Sequence, residues 1–88
     1  MSHIQKCYHY ESKVTTASDW EAIDLGFASK NLRLALVTGT VNFSIDGTTT
    51  GGLLDSNDPL IVLSGLILSR IWVKGSGTVR VYAWTNNQ

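Results

Sequence analysis

Apolar and polar residues alternate with a spacing of two along most of the chain, which predicts short β-strands. In "KCYHYESKV" Tyr8 and Tyr10 share one face, with Cys7 and His9 on the other. In "NLRLALV" Leu32, Leu34 and Leu36 lie together, opposite Arg33 and Ala35. "TVNFSID" aligns Val41, Phe43 and Ile45, "RIWVK" aligns Ile71 and Val73, and "TVRVYAW" aligns Val79, Val81 and Ala83. "DWEAIDLGF" is less regular, with a short helical turn after Asp19 as the alternative to a strand.

Glycine and Asn/Asp clusters separate the runs: Gly26, Thr38-Gly39, Asp46-Gly47, Gly51-Gly52, 56–59, Gly65 and 75–77. Glycine supplies positive φ and Asn or Asp tolerate it, so such clusters read as turns. Short strands punctuated in this way predict an all-β domain, a small β-sandwich of jelly-roll type with roughly eight short strands, or else a small β-barrel. One domain is expected over residues 1–88, with 1–3 and 85–88 fraying, because 88 residues are too few for two cores.

One pairing can be specified from sequence. "RIWVK-GSG-TVRVYAW" has the form of a hairpin with a glycine-flanked loop. That register sets Val73 against Val79 and Ile71 against Val81 on an aliphatic face. It sets Trp72 against Arg80 and Arg70 against Tyr82 on the other face, with Trp84 continuing it. Arg70, Trp72, Arg80, Tyr82 and Trp84 are therefore the candidate protein–protein surface, since Trp, Tyr and Arg are enriched in interfaces. Trp20 is assigned to the core.

Composition narrows the function classes. Hydrophobic residues make up 43% and charged residues 16%, which argues against disorder. Seven Lys or Arg balance seven Asp or Glu with no like-charge block, so the footprint of a nucleic-acid binder is absent. Near-neutral charge also favours self-association, with a trimer expected. The single cysteine, Cys7, cannot form an internal disulfide and fits a reducing compartment. The polar start lacks a signal-peptide core, and the longest apolar run, 60–68, is too short and too interrupted to span a bilayer.

Candidate chemistry is sparse. Asp46-Gly47 in "NFSIDGTTTGGLL" reads as a turn; a calcium loop would need a ligand spacing that "DGTTTGGLLDSND" lacks. No lysine lies between Lys30 and Lys74 and no helix is expected after Gly52, so the glycines do not make a phosphate loop. His3, Cys7 and His9 are too few for a structural zinc site. No nucleophile, base and orienting group form a legible set, so no enzyme, catalytic residue, metal or cofactor is expected.

"FSIDGTT", followed by "SRIWVKG" and "GTVRVYAW", resembles small virion proteins of tailed bacteriophages. The resemblance covers Asp19 to Thr85. It implies a short β-sandwich structural protein of the head, neck or tail, without catalytic residues. The expectation is a capsid decoration or cement protein, located in the virion and assembled in the bacterial host cytoplasm. Its partners would be copies of itself and major capsid or other virion proteins, with no nucleic acid and no membrane. A head–tail connector or tail component is the structural alternative, and a carbohydrate-binding attachment module the alternative of another class.

Overall fold

The computed structural model describes residues 8–16 and 18–85. Among them there are four strands and no helix: β1 (Tyr8–Thr15), β2 (Glu21–Ser44), β3 (Gly52–Leu54) and β4 (Leu60–Trp84). They form one antiparallel sheet in the order β1-β4-β2-β3. The all-β expectation is met, but runs expected as separate strands are joined. "NLRLALV" and "TVNFS" both belong to β2, and "RIWVK" and "TVRVYAW" both belong to β4. The expected 70–84 hairpin does not form. The segment Glu21–Asp24 is strand, without a helical turn.

The long strands are sharply bent. Asp24 pairs with Arg70, and Asn31 pairs with Trp84. Along a straight β4, Arg70 and Trp84 would be about 46 Å apart, whereas residues 24–31 can span only about 23 Å. The sheet must therefore fold over on itself. This explains how one sheet with no covering helix buries Leu34, Val41, Ile71, Val73, Val79, Val81 and Ala83 completely. One core cluster takes residues from both ends of β2 and from Ile71 to Ala83 of β4, with Ile61, Leu63 and Leu68 packed against it.

Glycines permit the bend. Gly39 and Gly75 have φ of 80° and 128°, inside otherwise continuous strands. A Cβ on Gly75 would lie 2.6 Å from the Thr40 carbonyl oxygen, and Cβ atoms on Gly39 and Gly77 would collide with the carbonyls of Ser76 and Thr38. The two strands cross here too closely for any side chain. A register shift between Leu36 and Thr38 adds a bulge. Gly26 and Gly65, also at positive φ, turn the chain where β2 and β4 pass from one end of the folded sheet to the other.

The pairing has an internal two-fold relation that exchanges Gly39 with its own partner Gly77. Leu34↔Val81 corresponds to Phe43↔Val73, Leu36↔Val79 to Val41↔Gly75, and Ile23↔Ile71 to Leu32↔Leu63. At the borders, Lys13↔Val79 corresponds to Val41↔Leu54. "GTVNF" (39–43) and "GTVRV" (77–81) are the sequence trace of this relation.

Candidate interaction surface

Partners across a sheet share a face, so register and alternation place every outward side chain. At the end of the sheet that holds β1, three rows run across four segments. Tyr8, Trp84, Asn31 and Ser64 form the first. Tyr10, Tyr82, Arg33 and Val62 form the second, and Ser12, Arg80, Ala35 and Leu60 the third. Tyr8 is 64% exposed, Val62 55% and Tyr10 48%, although each belongs to a regular sheet. The Tyr10 and Tyr82 rings lie 4.9 Å apart with their planes at 43°. The Arg33 guanidinium lies 5.4 Å from the Tyr82 ring centre on the other side. These rows contain Arg33 and Arg80 and no Asp or Glu, so the face is apolar, aromatic and positively charged.

The five residues expected to form one surface divide between two. Arg80, Tyr82 and Trp84 lie on the face just described. Arg70 and Trp72 lie beyond the bend at 75–77, beside Asp24 and between Ala22 and Ser44. The expected Trp72–Arg80 and Arg70–Tyr82 contacts are replaced. Tyr82 takes Arg33, Arg70 approaches Asp24 at 4.0 Å, and Lys74 stands 4.5 Å above the Trp20 ring. Trp20 is half-buried at the surface rather than in the core. The misreading came from "GSG": a hairpin loop and a strand crossing demand the same absence of side chains. Tyr8, Tyr10 and Arg33 were missed because their true neighbour is the 77–84 segment. The Tyr8/Tyr10 alternation was visible, but nothing local says which strand lies beside it.

Trp72 is occupied within its own chain. The loop after β2 passes over it, and a Cβ on Gly47 would lie 2.9 Å from the indole. Asp46 organises that loop. Its Oδ1 accepts the amides of Thr48 (2.9 Å) and Thr49 (2.8 Å) and the Ser44 hydroxyl (2.8 Å). Ser44 Oγ in turn accepts the amides of Asp46 and Gly47. These backbone donors, Thr49 first and then Thr48, hold the Asp46 carboxyl far below the usual aspartate range. The return strand is present as β3, but the connection is a loop, not a two-residue turn. Asp55 makes a smaller version, accepting the amides of Asn57 and Asp58 at 3.0 and 2.9 Å. Both aspartates act as turn residues.

His9 Nε2 and Glu11 Oε1 are 2.8 Å apart on the inward side of β1. His3 and Cys7 lie outside the described residues. Among the described residues, no three His, Cys, Asp or Glu side chains converge as metal ligands.

No family model, curated protein or solved structure matches this chain.

Proposed function

We propose that the protein is a non-enzymatic structural subunit of a tailed-phage particle, of the capsid decoration or cement kind. The observation that supports this reading is the exposed Tyr–Trp–Arg face on the β1 end of the sheet. A regular sheet that leaves Tyr8, Tyr10, Leu60 and Val62 in solvent is suited to being covered. Tyr82, Arg33 and Arg80 supply the side chains that concentrate binding energy when desolvated. The partner best suited to it is an apolar surface with acidic groups on the shell. A sugar platform would call for coplanar rings, and the 43° tilt of Tyr10 against Tyr82 favours assembly instead.

A finer fold reading accompanies this proposal. The straight runs between the glycine bends are one in β1, three in β2, one in β3 and three in β4. Numbered along the chain, they would lie in the orders 1-8-3-6 and 2-7-4-5 in two layers. That is the strand order of a jelly roll.

The test is co-sedimentation with capsids stripped of the protein. Arg33→Glu and Arg80→Glu should each weaken binding by about tenfold or more while circular dichroism stays unchanged. Binding unaffected by both substitutions would overturn the proposal.

A further inference from the structure

β1 lies at one border of the sheet, and among the described residues β4 is its only strand partner. Such an edge is a template for another strand unless proline, a bulge or unfavourable charge blocks it. β1 has no proline, and its register with β4 runs without a shift from Tyr8↔Trp84 to Thr15↔Gly77. It does carry charge, as Glu11 and Lys13 on the inward face, with Tyr10 and Val14 on the outward face and Ser12 central to both pairs. Val14 is 67% exposed.

We infer that β1 pairs, antiparallel, with β1 of a second copy of this chain, with Ser12 on the two-fold axis. The charges select this register. With Ser12 against the partner's Ser12, Glu11 faces the partner's Lys13, and Lys13 faces the partner's Glu11. On the other face, Tyr10 meets the partner's Val14 twice over by symmetry. Opposite charges and aromatic–aliphatic pairs are both favourable as direct cross-strand neighbours. A slip of one residue on each strand sets Glu11 against Glu11 or Lys13 against Lys13, and both are repulsive. The register that satisfies the charges is thus the one that covers the exposed apolar pair.

Glu11 and Lys13 have partners within their own subunit. Glu11 is held by His9, and Lys13 stands 3.9 Å from Glu21. Both side chains remain partly exposed and available to a neighbour. The pairing gives a closed two-fold dimer in place of the trimer expected from composition. It sets two Tyr–Arg faces on one continuous surface, so that binding of one raises the effective concentration of the other. The inference stands apart from the phage reading, since it concerns the free protein.

Charge reversal tests it. Sedimentation equilibrium of the full chain at micromolar concentration should show a dimer. Glu11→Lys and Lys13→Glu alone should each weaken it by about tenfold or more, because two attractive pairs become two repulsive ones. Mixing the two variants should restore association as a heterodimer, and Glu11→Lys/Lys13→Glu in one chain should restore the homodimer. Circular dichroism on each single variant separates lost pairing from lost folding. A wild type that is monomeric or trimeric, single variants that dimerise as well as wild type, or folded variants that fail to rescue each other would overturn the inference.

Discussion

Gly47 rests on the indole of Trp72: at φ of 84°, it brings the backbone so near that a Cβ would lie 2.9 Å from Cε2. The loop after β2 is thereby fastened to the outer side of β4. Trp72→Ala should lower stability by about 2 kcal/mol through lost apolar burial. Gly47→Ala should lower it by about 1–2 kcal/mol for the left-handed backbone, and further for the collision. In the double variant the collision term disappears, so chemical denaturation should give a cost below the sum of the two. A strictly additive cost would detach the loop from Trp72.

Neighbours in β4 should respond in opposite ways. Val81 is fully buried and pairs with Leu34 and Glu11, whereas Arg80 is exposed beside Ser12 and Ala35. Val81→Asp places a charge in an apolar core and should cost about 4 kcal/mol or more, enough to unfold a small domain. Arg80→Glu should leave the thermal melt nearly unchanged. The reverse result would invert the faces of the sheet.

Glycines of similar φ should differ in importance. Gly39 (φ 80°) stands against the Ser76 carbonyl, while Gly26 (φ 81°) has nothing within 4 Å of its missing side chain. Gly26→Ala should cost only the backbone strain, about 1–2 kcal/mol. Gly39→Ala must also push β2 from β4 and should cost about 3 kcal/mol or more. Equal melting temperatures for the two variants would remove the close crossing as the cause of the bend.

Asp46 sets an acid limit. Its carboxyl titrates below the usual aspartate range in the folded chain because loop amides hydrogen-bond its charged form. A depressed folded-state pKa contributes stability above the unfolded pKa, and that contribution is lost as the pH falls toward the folded one. Asp46→Asn should therefore melt lower than wild type at neutral pH, with the gap narrowing on acidification below the ordinary aspartate pKa. Added calcium should leave the wild-type melt unchanged, since among the described residues no three His, Cys, Asp or Glu side chains converge. A gap independent of pH would assign the loss to something other than charge.

Much of the core was legible in the sequence, for a physical reason. In the middle of β2 and in 71–83 of β4 alternation marks the buried side, and Leu32, Leu34, Val41, Phe43, Ile71, Val73, Val79, Val81 and Ala83 are all inside, whereas in β1 the Tyr8, Tyr10 and Val14 side is the exposed one. Partner choice was not legible, because it depends on residues far away in the chain. Gly39, Gly75 and Gly77 announce that side chains are not tolerated, but a turn and a crossing of two strands impose the same prohibition. Reading them as turns cut β2 and β4 into pieces and put Trp72 beside Arg80. The real face draws Tyr10 from β1, Arg33 from β2 and Tyr82 from β4. The turn role of Asp46 was readable because its hydrogen bonds join residues within a few positions of one another, although the connection is a loop rather than the tight turn expected.

The two-fold exchange of Gly39 with Gly77 also governs synthesis. Among the described residues β1 finds its partner only in 77–84, and β2 pairs almost wholly with β4. A ribosome therefore brings out β1 and β2 with their strands unmatched, and the native ladder can close only once residues 77–84 have left the exit tunnel. Such long-range closure is slow. During that interval Leu32, Leu34, Val41 and Phe43 are open to other nascent chains, and their protection depends on how soon residues 77–84 follow.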